Sequence, residues 1–201
     1  IQVNVYVVIE NEIHYYDNDG KKDDSSIPDG EITDIKGDVY YIINNEVQVN
    51  VYIRIEGKVY YYGDSGKKSE APITEREITD SKGNVYYIIN NEIQTNAYIR
   101  VNNNIYYYGD DGRKNTSTLP TGEVTDNKGN VYYIVNNYIQ KNVYVRIGND
   151  VYYYGASGHK STSTISNRKV TDINGNVYYI INNEIQVNVY VVIENEIHYY
   201  D

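Results

Sequence analysis

The sequence predicts an all-β tandem array, and three observations predict it. The stretch IQVNVYVVIENEIHYYD at Ile1–Asp17 returns unchanged at Ile185–Asp201, and variants of it start at Val47, Ile93 and Ile139, so the chain repeats every 46 residues without insertion or deletion. Val, Ile and 27 Tyr fill the periodic segments, whereas Leu occurs once, at Leu119, which is strand composition and leaves little for helices. Apolar and polar residues alternate with period two in those segments. The units are 1–46, 47–92, 93–138, 139–184 and a partial fifth, 185–201, identical to 1–17. At such a period each unit is one supersecondary piece, so domain count means repeat count.

Each repeat opens on a long strand. In the first copy Ile1, Val3, Val5, Val7 and Ile9 point one way and Gln2, Asn4, Tyr6 and Glu10 the other, the pattern of a half-buried strand. A tight turn at Asn11, matched by Gly57, Asn103 and Gly148–Asn149, sends the chain back through Glu12–Tyr16 as a hairpin. The polar stretch DNDGKKDDSSIPDG varies most between copies and, with its counterparts, carries Pro28, Pro72 and Pro120, so it reads as a surface loop. A second hairpin runs from Glu31–Asp34 through a Lys36–Gly37 turn to Asp38–Ile43, and the Asn44–Asn45 pair suits a type I′ turn into the next long strand.

Each repeat is therefore expected to be a four-stranded antiparallel meander. The long strand pairs backward through its first half and forward through its second, which gives a linear tandem array of small barrel-like units. A four-bladed propeller is the alternative, because blades have about four strands in roughly 40–50 residues. The duplicated terminus speaks against closure, since two identical copies would compete for one place. Beginning in mid-repeat, the chain is expected to be a segment of a longer protein.

Composition bounds function. A net charge of −10 disfavours nucleic acid and anionic lipid as partners, and no apolar run reaches the roughly 18 residues of a membrane helix. Absence of Cys rules out disulfides and thiolate chemistry and fits an extracellular protein of a Gram-positive bacterium. All aromatic area comes from Tyr, whose hydroxyls need water or partners, so thin and partly wet cores are expected.

Several features carry a family resemblance: a Tyr followed by a Gly turn and a basic residue (Tyr154, Gly158, Lys160), the run Gly129–Asn130–Val131–Tyr132–Tyr133–Ile134, and the Asn-Asn turn opening NNYIQKNVYV at Asn136–Val145. On these the repeat resembles the SLAP family, the surface-layer domains of lactic-acid bacteria. Glu46, Glu92 and Glu184 stand where Tyr138 keeps the family's Tyr. The resemblance implies a location on the bacterial cell surface, non-covalent attachment to wall polymers such as teichoic acids, and a stalk or filament role.

Two residue sets are candidate binding sites. Lys21, Lys22, Lys67, Lys68, Arg113, Lys114 and Lys160 follow the Gly turns and would meet polymer phosphates once per repeat, gaining by multivalency. The motif Gln-x-Asn-x-Tyr (Gln48, Asn50, Tyr52; Gln94, Asn96, Tyr98; Gln140, Asn142, Tyr144) places amides and a phenol on one strand face, chemistry suited to a glycan. The Thr-Asp pairs ending at Asp34, Asp80, Asp126 and Asp172 read as turn chemistry, as does DNDG at Asp17–Gly20. His14 exchanges with Tyr60 between copies and reads as packing. No catalytic constellation, metal set or cofactor motif stands out, so no enzyme is expected. Unpaired edges at the terminal partial repeats make self-association a further expectation.

Overall fold

The computed structural model describes residues 2–10 and 12–201, so Ile1 and the expected Asn11 turn lie outside the described residues. All regular structure among them is β-strand. The first sheet holds β1 (Val5–Ile9), β2 (Glu12–Tyr16), β3 (Lys22–Asp23), β4 (Gly30–Thr33), β5 (Val39–Ile43) and β6 (Glu46–Val47), in the order β1-β2-β6-β5-β4 with β3 beside β2. The second holds β7 (Val51–Ile55), β8 (Lys58–Tyr62), β9 (Arg76–Thr79), β10 (Val85–Ile89) and β11 (Glu92–Ile93), ordered β7-β8-β11-β10-β9. The third repeats that order with β12 (Ala97–Val101), β13 (Asn104–Tyr108), β14 (Gly122–Thr125), β15 (Val131–Val135) and β16 (Tyr138–Ile139). The fourth repeats it with β17 (Val143–Ile147), β18 (Asp150–Tyr154), β19 (Arg168–Thr171), β20 (Val177–Ile181) and β21 (Glu184–Ile185), and β22 (Val189–Ile193) with β23 (Glu196–Tyr200) forms a two-stranded sheet.

The all-β tandem array is thus observed, with one change inside the unit. The expected long strand is broken at an Asn in every copy: Asn4, Asn50, Asn96, Asn142 and Asn188 all have φ between 50° and 57°. Asn tolerates this left-handed geometry better than other non-Gly residues, and the kink divides the strand. The two-residue strand a few positions ahead of it, such as Glu46–Val47, zips between the two hairpins of its own sheet, opposite Glu12 on one side and Ile43 and Ile42 on the other. The residues after it start the next hairpin, Val51 opposite Tyr62. Each of the first four sheets is consequently built on a five-strand path with the short strand inserted in the middle, and not on the consecutive four-strand order of a propeller blade.

The Asn-Asn turns behave as predicted. Asn44 and Asn45 have φ of 52° and 66°, and the later pairs match them, as a type I′ turn demands. The second Asn has an additional role that the sequence reading missed. Its side-chain carbonyl accepts the backbone N–H of Ile27, Leu119 or Ile165 at 2.6–2.7 Å, and of Ile73 at 2.5 Å, pulling one apolar residue of each supposed surface loop against the core. Ile27, Ile73 and Ile165 are buried as a result.

Contacts divide the chain into two compact units, residues 1–96 with 108–114 and residues 97–107 with 115–201. In the first, one core gathers Ile13, Ile27, Ile32, Tyr40 and Ile42 and another Val59, Ile73, Ile78, Tyr86 and Ile88. In the second, Ile105, Tyr132, Ile134 and Ile139 form one cluster and Val151, Ile165, Val170 and Ile180 another. Burial of each aliphatic side chain contributes roughly 1.5–3 kcal/mol, so several small cores replace one large one.

Gly112 sits where no side chain fits. Its φ is +77°, and a Cβ there would lie 2.1 Å from Ile93 Cγ2, whereas Gly129, at φ +82°, has nothing within 4 Å. Gly112→Ala is expected to cost about 2–4 kcal/mol, overpacking added to left-handed strain, and Gly129→Ala only about 1–2 kcal/mol. Urea unfolding of the two variants checks this, and equal midpoints would contradict the close-packing account.

Candidate polymer-binding face and repeat junctions

Hairpin register builds the first candidate face. Antiparallel pairing sets Tyr6 opposite Tyr15, Tyr52 opposite Tyr61, Tyr144 opposite Tyr153 and Tyr190 opposite Tyr199. The paired rings, Tyr98–Tyr107 included, lie with centroids 4.9–5.1 Å apart and planes tilted by 42–48°. The second Tyr donates its hydroxyl to the kinked Asn: Tyr15 to Asn4, Tyr61 to Asn50, Tyr153 to Asn142 and Tyr199 to Asn188, all at 3.1–3.2 Å. Left-handed backbone at Asn is thus tied to the ring beside it. The outcome is an amide set against two rings, chemistry that suits the apolar face and hydroxyls of a sugar.

Of the predicted glycan residues, Asn50 with Tyr52 and Asn142 with Tyr144 are brought into such patches, and Tyr98, 36 % exposed, pairs with Tyr107. Gln48 and Gln140 are not, because their amides donate to the carbonyls of Glu46 and Tyr138. Gln94 lies in the same break, between β11 and β12. The residues missed from sequence are Tyr61, Tyr107 and Tyr153. Counting back from the two-residue turn would have found them.

From Lys67–Lys68 onward the basic pairs lie at joints between consecutive sheets, whereas Lys22 pairs with β2 inside the first sheet. Lys68 Nζ is 2.5 Å from Glu31 Oε1 and 3.5 Å above the Tyr60 ring, and Tyr62 donates its hydroxyl to the same carboxylate. Lys114 pairs with Glu77 at 2.6 Å and Lys160 with Glu123 at 2.7 Å, and Tyr108 and Tyr154 donate to those acids. Backbone follows the same path, Lys68 N–H donating to Val39, Lys114 to Val85 and Lys160 to Val131. Lys67 pairs with Asp38 at 2.7 Å, Arg113 with Asp111 at 3.3 Å, and Lys22 lies 3.9 Å from Asp24. Lys68, Lys114 and Lys160 therefore hold the repeats together with compensated charge, while Lys21, Lys22, Lys67 and Arg113 remain exposed.

A second cation column also serves the joints. Arg54 lies 5.6 Å from the Tyr86 ring and donates to Asp111 O, and Arg100 lies 5.4 Å from the Tyr132 ring and donates to Ser157 O. His159 Nε2 is 2.9 Å from the Tyr132 hydroxyl, which donates to Asp126. The turn chemistry read for Asp34, Asp80, Asp126 and Asp172 is present, each accepting backbone N–H groups two and four residues on.

Electrostatics reflect these partners. Burial pushes Glu31 up, but hydrogen bonds from Lys68 and Tyr62 outweigh it and hold the carboxyl below its ordinary value of 4.5. Burial likewise raises Asp80 and Asp126, yet the Asn84 and Asn130 amides and turn N–H groups bring both below 3.8. Burial and the Glu31 or Glu123 acceptor drive Tyr62 and Tyr154 far up, and burial with Glu75 lifts Tyr87 to about 12.

No protein-family model matches the chain, and no curated protein matches it. Solved structures do. The chain is similar to the modular autolysin LytC from Streptococcus pneumoniae, at 14 % identity over 98 % of this chain and 47 % of that one, with a TM-score of 0.35. It is also similar to the choline-binding domain of CbpL from Streptococcus pneumoniae, at 17 % identity over 94 % of this chain and 99 % of that domain, TM-score 0.35. A third is choline binding protein F from the same organism in the presence of a peptidoglycan analogue, at 20 % identity over 92 % and 57 %, TM-score 0.30. The chain spans about half the length of the autolysin, 47 %.

Glu31 and the turn acids Asp80 and Asp126 shape the response to pH. Their folded pKa values are depressed, so their stabilisation is complete above the unfolded values of 4.5 and 3.8 and is lost as pH falls through the lower folded values. Glu31→Gln is expected to lower stability at pH 7 by about 1–3 kcal/mol and to flatten the decline between about pH 5 and 3. Urea midpoints across that range measure it, and an unchanged slope would show that Glu31 does not contribute.

Proposed function

We propose that this chain is a repeat segment of a bacterial cell-surface protein that attaches non-covalently to wall polymers and acts as a stalk. One observation supports it most: the same amide-and-two-ring patch recurs at 46-residue intervals with its geometry held within about 0.2 Å. An array of equivalent weak patches suits a ligand that is itself a repeating polymer, since each further contact becomes intramolecular. The SLAP resemblance supports the same assignment, including the extracellular location. The reading makes the chain a binding element without catalysis or cofactor, and it keeps the exposed Lys21, Lys22, Lys67 and Arg113 as polymer contacts beside the Tyr patches. Self-association through the terminal partial repeats belongs to the stalk reading.

The lectin-like reading differs in ligand and shares the patches. Co-sedimentation with purified Gram-positive cell walls, with and without their anionic polymers, separates the two. The full chain is expected to sediment with intact walls, and the triple variant Tyr61→Ala, Tyr107→Ala, Tyr153→Ala to lose binding by more than tenfold while keeping its far-ultraviolet circular dichroism. Sedimentation unaffected by the triple variant would sink the role of the patches. Binding competed equally well by soluble neutral oligosaccharide would favour the lectin.

A further inference from the structure

Between the second hairpin of the first repeat and the hairpins of the second lies a cleft of about 410 Å³, built wholly within the first compact unit. Ile43 and Ile53 form its apolar side, and Arg54, Lys82 and Arg113 bring three cations to it against two acids, Asp29 and Asp80. That trio of permanent cations occurs at this place alone in the repeat series. The same columns hold Val8, Lys36 and Lys67 one repeat earlier, Arg100, Lys128 and His159 one repeat later, and Arg146 with Asn174 in the fourth repeat.

Both acids already spend their oxygens on N–H donors. Asp29 Oδ1 accepts the Asn44 N–H at 2.7 Å, and Asp80 accepts the Lys82 and Asn84 N–H groups at 2.9 and 2.8 Å and the Asn84 amide at 3.0 Å. The cations are less engaged. Arg54 lies against the Tyr86 ring and gives Nη1 to Asp111 O, which leaves its Nε and Nη2 donors over. Arg113 meets Asp111 through Nε at 3.3 Å in an exposed pair of the kind that holds little charge, and Lys82 has no ion pair among the described residues. Tyr41 lines the same cleft, and its hydroxyl has no protein partner there. In the next repeat the corresponding Tyr87 gives its hydroxyl to Glu75 at 3.1 Å, whereas Asp29, one methylene shorter, turns to Asn44.

We propose that this cleft binds the phosphate group of a polyol phosphate ester. Arg54, Lys82, Arg113 and the Tyr41 hydroxyl donate to the phosphate oxygens, and Ile43 and Ile53 take the carbon skeleton. Donors carried by four separate segments suit a tetrahedral group, whose oxygens point several ways, better than a planar carboxylate with two. The apolar side favours an ester over inorganic phosphate. The wall-polymer reading enters only in naming one natural source, a phosphodiester-linked chain; binding of the ester itself is independent of it.

Isothermal titration of the full chain with glycerol phosphate, at ionic strength held constant with chloride, tests the site. One saturable site per chain is expected, with inorganic phosphate and glucuronate each weaker by roughly fivefold or more. The variants take residue types that other repeats carry at the same positions and so keep the fold: Lys82→Asn matches Asn174, Arg113→His matches His159 and Asp29→Glu matches Glu75. Lys82→Asn and Arg113→His should each weaken binding by roughly tenfold at pH 8, and Asp29→Glu by a few-fold as it captures the Tyr41 hydroxyl. Lys36→Asn makes the same change on the exposed turn one repeat earlier and should leave binding unchanged. No saturable binding, glucuronate bound as tightly as glycerol phosphate, or equal loss in Lys82→Asn and Lys36→Asn overturns the site. Bis(glycerol) phosphate bound as well as the monoester upholds the site with a polymer link as its source, and binding of the monoester alone upholds it with a free phosphate ester. Binding that depends on Lys82 in a chain that fails to sediment with walls upholds the site while refuting the wall-polymer function.

Discussion

Every aromatic ring in this protein carries a hydroxyl, and the need to satisfy those hydroxyls organises the structure. Tyr62, Tyr108 and Tyr154 are fully buried, so each must find an acceptor or forgo roughly 1–3 kcal/mol of hydrogen bonding. The acceptor in each case is a Glu on the preceding sheet. A core made of Phe would have packed each sheet as well, but it would not have joined one sheet to the next.

The same carboxylate also receives a Lys, and that Lys lies against a Tyr ring, Tyr60 or Tyr152 at 3.5 Å. One acid thus coordinates a phenol, an ammonium and a ring face in a partly dry joint, where charge-assisted hydrogen bonds hold most firmly. This explains why an acidic chain keeps a basic residue at the same place in every repeat. Positive charge at Lys68, Lys114 and Lys160 that looks available for a polymer is used in joining repeats, and the Tyr-Asn patches carry more of the binding reading than these lysines do.

Asn does at the backbone what Tyr does at the core. Left-handed Asn at Asn50 and its counterparts breaks the strand, accepts the neighbouring Tyr hydroxyl at its side-chain carbonyl, and lets residues 46–47 close their own sheet before the chain leaves it. The Asn-Asn turns then hold the loop's buried apolar residue by a side-chain hydrogen bond. Loss of the side chain at either kind of Asn would therefore affect both local geometry and packing.

The sequence by itself determined the repeat period, the all-β class, both hairpins, the type I′ Asn-Asn turns and the Asp-held turns, because each is set by near neighbours through periodicity, φ preference and short-range hydrogen bonds. It also showed which columns are basic and where Asn and Tyr recur. Only the tertiary structure decided that the long strand breaks, that Gln48 turns to its own backbone while Tyr61 joins Asn50 and Tyr52, and that Lys68 pairs with Glu31. Lys68 and Glu31 lie 37 residues apart, and their pairing depends on how successive sheets meet, which local preference does not encode.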